Sequence, residues 1–86
     1  MQVHLHRTFL KDFKKLDSTI RNRFVERKAM FGKDSRNPLL NDHALGGEYV
    51  GRRSINITGD YRAIYEIGLH DTIECVSIEE VNKHGY

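Results

Sequence analysis

The stretch that decides the fold is Gly51-Arg52-Arg53-Ser54-Ile55-Asn56-Ile57-Thr58-Gly59-Asp60-Tyr61-Arg62-Ala63-Ile64-Tyr65-Glu66-Ile67. Two runs of β-branched and aromatic residues flank Gly59-Asp60, a pair short enough to close a hairpin. Alternation puts Arg53, Ile55 and Ile57 on one side, and Arg52, Ser54, Asn56 and Thr58 on the other. In the second run Ala63, Tyr65 and Ile67 oppose Arg62, Ile64 and Glu66. A third strand-like run, Thr72 to Glu79, follows the equally short Gly68-Leu69-His70-Asp71, and the first run extends back to Tyr49.

Upstream, Val3 and Leu5 alternate with Gln2, His4 and His6, which predicts a short opening strand. From Thr8 the period becomes helical: Phe9, Phe13 and Leu16, then Ile20, Phe24 and Phe31, recur with charges between them. Asp17-Ser18 interrupts with N-cap residues, so two helices are expected, over 8–16 and 18–31, with Gly32 as the residue that stops the second. Pro38, with Gly, Asn, Asp and Ser around it, marks residues 32–47 as a long loop, a feature that is often functional in so small a domain. The expected fold is α+β, in the order β-α-α-β-β-β, with a two-helix hairpin on one face of a mainly antiparallel sheet. If the helices cover the Ile55/Ala63/Tyr65 side, the open side presents Arg52, Ser54, Asn56 and Arg62. Such a face serves as a nucleic-acid platform, or is the solvated side of an ordinary antiparallel sheet.

Composition limits what such a fold can do. At 86 residues there is room for a single domain, 1–86, burying roughly 60–65% of its extended surface. With 38% hydrophobic and 30% charged residues the chain is neither a disordered tail nor a membrane span. Its longest apolar runs are three residues (Ala29 to Phe31, Ala63 to Tyr65) against the ~20 that a transmembrane helix needs, and its start lacks a secretory apolar region. No membrane partner and a cytoplasmic location are therefore expected. Cys75, between Ile73, Val76 and Ile78, reads as a small core hydrophobe, and with a single cysteine neither a disulfide nor a structural zinc site is expected.

The net charge of +2 hides a gradient. Residues 1–31 carry eight bases against three acids, residues 32–60 balance, and residues 61–86 carry two bases against five acids. The basic half suits a polyanion or an acidic protein partner, and equally the solvated faces of two helices. Of the five histidines, His4 and His6 share a strand side without a third ligand type nearby, and His70 lies in a turn. His43 and His84 sit in Asn41-Asp42-His43-Ala44-Leu45-Gly46-Gly47 and Asn82-Lys83-His84-Gly85-Tyr86.

Taken together, Phe9-x-Lys11-Asp12-x-Lys14-Lys15-Leu16, Asp42-His43-x-Leu45-x-Gly47, Gly51-x-Arg53-Ser54, Gly59-Asp60-Tyr61-Arg62-Ala63-Ile64-Tyr65 and Lys83-His84-x-Tyr86 resemble the RelE superfamily of bacterial type II toxins, most of all its YafQ branch. The resemblance implies a ribosome-dependent endoribonuclease that cuts messenger RNA in the ribosomal A site and is held inactive by a cognate antitoxin, here expected to be acidic. Such an enzyme works without metal or cofactor. It uses the neighbouring 2′-hydroxyl as nucleophile, so it needs a base, a cation for the charge building on phosphorus, and an acid for the departing 5′-oxygen. The resemblance makes Arg62 the phosphate clamp and His84 an acid or base, with His43 and Asp60 as a proton-transfer or orienting pair. Arg52, Arg53, Asn56, Lys83 and Tyr86 are then expected to contact RNA, Tyr86 by stacking. Asn56 stands where YafQ-like enzymes carry a second catalytic His, and an amide cannot transfer protons at neutral pH. Two other readings share the fold: a ParE-like toxin that inhibits DNA gyrase by binding, and a nucleic-acid or antitoxin-type binding module without catalysis.

Overall fold

In a computed structural model, which describes residues 2–70 and 72–81, the chain opens with strand β1 (Gln2–Leu5). Helices α1 (Arg7–Lys14) and α2 (Ser18–Lys33) follow. Both helix starts are set by side chains. His6 Nδ1 accepts from the Thr8 amide at 3.1 Å, and Asp17 Oδ1 accepts from the Thr19 amide at 2.7 Å, each supplying an acceptor for an otherwise orphaned donor. The helices are joined through their aromatic faces, where the Phe24 ring of α2 lies 4.9 Å from Phe9 and 5.4 Å from Phe13 of α1.

Gly32 does not end α2. The helix continues through it to Lys33, and the Asp34 amide closes the last turn onto the Met30 carbonyl at 2.8 Å. The buried Phe31 anchors this turn against Tyr65 at 5.5 Å between ring centroids, so tertiary packing overrides the stop signal of a single glycine.

Residues 32–47, expected as a loop, contain two small elements. Asn37 Oδ1 caps a 3-10 turn at Pro38–Leu40 that sinks Leu40 completely into the core. Then β2 (His43–Ala44) adds to the sheet edge. A second 3-10 turn occupies Gly47–Tyr49, and the strand expected from Tyr49 begins only at β3 (Arg53–Asn56). Gly51 makes that entry at φ 91°, a conformation open to glycine and strained for other residues. β4 (Tyr61–Ile67) and β5 (Thr72–Glu80) complete a five-stranded sheet in the order β1-β5-β4-β3-β2. It is antiparallel except where β1 runs parallel to β5.

The helices cover the expected side. Phe9, Phe24 and Phe31 pack with Ile55, Ile57, Ala63, Tyr65, Ile73, Cys75 and Ile78 in one cluster. A bulge between Ile64 and Tyr65 in the β4–β5 register inserts Val76 and keeps Tyr65 with Cys75 on the core side and Ile64 with Ser77 on the other.

The opposite face is less open than alternation suggests. Ser54 and Ile64, cross-strand partners at its centre, are completely buried. They are surrounded in the register by longer side chains: Arg52 and Glu66 on one flank, Asn56 and Arg62 on the other. Alternation assigns a side of the sheet and says nothing of how far neighbours close over it. No helix among the described residues is long and apolar enough to cross a membrane.

Candidate functional site

The register sets out the uncovered face in rows. His43, Ser54, Ile64 and Ser77 lie side by side across β2 to β5, with Asn56, Arg62 and Glu79 in the next row, and Arg52, Glu66 and Glu74 on the other side. Of the three arginines on β3 and β4 and just before them, two are engaged by carboxylates. Arg52 Nε donates to Glu66 Oε1 at 2.9 Å on this face. Arg53 Nε donates to Asp42 Oδ1 at 3.1 Å on the core side. Arg62 donates to the Asn56 side-chain oxygen and makes no ion pair among the described residues. Asn56 thus orients a half-buried guanidinium that has Glu79 as its cross-strand neighbour but forms no ion pair with it, an arrangement that leaves donors for a phosphate.

His43 lies exposed on the same face, with Nδ1 2.7 Å from the Asn41 carbonyl. A carbonyl can only accept, so the proton of the neutral ring sits on Nδ1 and the Nε2 lone pair is left to take another. Asn41 reaches that position with φ 46°, a left-handed conformation that asparagine tolerates. His43 and Arg62 stand two strands and two residues apart, roughly 12 Å between α-carbons.

Asp60 is placed elsewhere. It is exposed in the β3–β4 turn, its amide on Thr58 Oγ1 at 3.2 Å and its carbonyl accepting from the Val81 amide at 2.8 Å. His43 pairs in register with Ser54, about four strand residues or roughly 13 Å from that turn, and no hydrogen bond joins the two side chains. The structure therefore brings Arg62, Asn56, Arg52 and His43 to one face and leaves Asp60 at its end. Arg53 belongs to the opposite side. Lys83, His84 and Tyr86 lie outside the described residues, which end at Val81 beside Asp60.

One constellation was not anticipated from sequence. The Asp42 carboxylate accepts from the Tyr65 hydroxyl at 2.6 Å, and Arg53 Nε donates both to that hydroxyl oxygen at 3.2 Å and to Asp42. Burial, reinforced by the bond to Asp42, pushes the Tyr65 phenol far above its ordinary pKa and keeps it a donor. Arg53 is shifted upward too, mostly by its bond to Tyr65 and against the penalty of burial. Asp42 and His43 are neighbours in sequence but serve opposite faces: one pins β2 to the core side while the other is displayed. All three residues fall in the motifs Asp-His-x-Leu-x-Gly, Gly-x-Arg-Ser and Gly-Asp-Tyr-Arg-x-Ile-Tyr, so the signal was present without the contacts.

Cys75 is buried, and desolvation pushes its thiol up to about 11, which leaves it protonated and inert. His6 spends Nδ1 on the α1 cap.

Comparison with known proteins places the fold. Residues 3–85 match the family described as ParE toxin of type II toxin-antitoxin system, parDE. A chain of the toxin-antitoxin complex RelBE2 from Mycobacterium tuberculosis is 31% identical, with a TM-score of 0.71 over 92% of this chain and 95% of that one. YafQ from E. coli superposes with a TM-score of 0.77 at 15% identity, covering 99% of this chain and 98% of that one. A YoeB/ParE toxin from Agrobacterium tumefaciens gives 0.75 at 17% identity, over 93% and 98%. At those identities the last two are alike in fold alone. No curated protein matches the sequence. The chain belongs to the RelE/ParE superfamily of type II toxin-antitoxin toxins.

Proposed function

We propose that this toxin is a metal-independent, ribosome-dependent endoribonuclease acting on messenger RNA in the A site. The observation that carries the reading is Arg62: a half-buried guanidinium held by Asn56 and in no ion pair among the described residues, on the same face as a histidine with an open Nε2. In the proposed reaction the 2′-oxygen bonds to phosphorus, its proton passing to an imidazole, and the bond from phosphorus to the 5′-oxygen breaks. The leaving oxygen takes a proton, giving a 2′,3′-cyclic phosphate and a 5′-hydroxyl. Arg62 stabilises the negative charge that builds on the phosphoryl oxygens, where a charge-assisted donor is most effective. His43 and His84 are the proton-transfer pair of this proposal. Arg52, Lys83 and Tyr86 contact flanking nucleotides, and Asp60 keeps an orienting role from the end of the face.

The partner belongs to the same proposal. RelBE2 and the DinJ-YafQ pair from E. coli are toxin-antitoxin complexes, and a protein antitoxin of acidic character fits the basic half of this chain.

The second reading, inhibition of DNA gyrase by binding, is favoured by the matching family, ParE. Purified protein added to programmed ribosomes and, in parallel, to a gyrase supercoiling assay separates the two. Cleavage by the wild type and none by Arg62→Ala is expected. Intact messenger together with lost supercoiling selects the second reading.

A further inference from the structure

The side of the sheet opposite Arg62 carries its own opening. The chain between α2 and β2 borders a cleft of about 560 Å³, whose lining includes Arg36, Asn41, Arg53, Tyr65 and Ile67. Its charged wall is arranged in advance. Arg53 spends Nε on Asp42 and Tyr65, and no bond occupies its two terminal nitrogens among the described residues. A guanidinium gripped by Nε offers those nitrogens as a fork, the geometry that matches a carboxylate. Arg36 adds a second cation at the rim: its backbone amide is bonded to Asp34, and its exposed side chain makes no ion pair among the described residues. Among the described lining residues, Arg36 and Arg53 stand against the single carboxylate of Asp42, so this lining carries a net positive charge. Its other wall is apolar, with Phe31 and Ile73 at depth and Ile67 66% exposed at the mouth, at the end of β4.

We propose that this cleft receives an acidic segment of the protein partner, a carboxylate on Arg53 and Arg36 with an adjacent apolar side chain on Ile67. The charge and the exposed apolar residue select that occupant over RNA, which offers phosphates but no aliphatic side chain. This rests on the reading that a protein antitoxin binds the toxin, and it locates one contact on the face away from Arg62. Since the cleft is built on Asp42, an occupant there also bears on β2 and on how His43 is held.

The test is a ¹⁵N-resolved NMR titration of the full chain with the acetylated, amidated hexapeptide Glu-Leu-Glu-Phe-Glu-Leu. Its Lys-for-Glu counterpart and a hexauridine RNA serve as comparison ligands. The acidic peptide is expected to shift Ser35, Arg36, Asn41, Arg53 and Ile67. Its affinity should fall with added salt, and roughly fivefold in Arg36→Glu, which removes a charge-assisted contact at a side chain with no bond among the described residues. Lys11→Glu on α1, the same charge change away from the cleft, should leave the affinity as it is. No shifts at millimolar peptide, shifts confined to Asn56 and Arg62, stronger shifts of the cleft by hexauridine, or equal binding by Arg36→Glu would each overturn the proposal. Messenger cleavage is scored separately, so a toxin that binds the peptide but cuts nothing refutes the endoribonuclease reading and leaves this one standing.

Discussion

Replacing Asp42 with alanine removes the acceptor on which Tyr65 and Arg53 converge, and the structure gives the size of the effect. Tyr65 is 2% exposed, so its hydroxyl becomes a buried donor without a partner, at about 1–3 kcal/mol. Arg53 loses an ion pair at 3.1 Å, but its side chain is 35% exposed, so solvent screening limits that loss to about 0.5 kcal/mol. The sum, about 1.5–3.5 kcal/mol, is a large part of the stability of a domain this size. With a urea m-value near 1 kcal/mol/M, the unfolding midpoint of Asp42→Ala falls by roughly 2 M. The sharper measurement is the double-mutant cycle. Tyr65→Phe destabilises the wild type by about 1 kcal/mol, because it deletes a bond to an ionised acceptor. In the Asp42→Ala background the same change is neutral or stabilising, because it deletes the orphan. Additive effects, or an Asp42→Ala cost below about 0.5 kcal/mol, would refute the claim that this network pins β2 to the sheet.

Three further outcomes are expected. Gly32→Ala stabilises by about 0.5 kcal/mol in urea unfolding, since Gly32 sits in the last turn of α2 with nothing within 4 Å of an added Cβ; destabilisation would show that the helix ends before it. Phe9→Ala costs about 3–5 kcal/mol, since Phe9 is fully buried between the helices and the sheet, and a cost near 1 would contradict that packing. Stability also declines in alkali: the Cys75 thiol, raised from about 9 to about 11 by burial, favours the folded state below pH 9 and loses that contribution as pH rises through 11. Cys75→Ala should remove about 2–3 kcal/mol of that decline, and an unchanged slope between pH 9 and 11 would refute the assignment.

What the sequence made legible follows from the range of each interaction. The two hairpins are written in period-2 alternation and in two- and four-residue turns, signals confined to neighbouring residues, and β4 and β5 start where these predicted. The helical hairpin was equally readable from Phe9, Phe13, Phe24 and Phe31. β2 was not, because two residues leave no period, and its pairing with β3 is a tertiary event. The end of α2 was misplaced because Phe31 holds Gly32 in helical conformation from a distance. At the candidate site, alternation put Arg52, Asn56 and Arg62 together and Arg53 apart, as the structure has them. The same alternation displayed Ser54, which is buried, because exposure depends on the reach of surrounding side chains. The Asp42–Tyr65 contact spans 23 residues of sequence, and no local pattern encodes such a separation.

The measurement that tests the central claim most directly is the chemistry of the ends left on messenger RNA cut on programmed ribosomes. Attack by the neighbouring 2′-hydroxyl requires a 2′,3′-cyclic or 3′-phosphate upstream and a 5′-hydroxyl downstream, with neither product formed by Arg62→Ala. A 3′-hydroxyl paired with a 5′-phosphate would mean that water or a metal-bound hydroxide is the nucleophile, and intact messenger would mean that this face does not cleave RNA; either result contradicts the account.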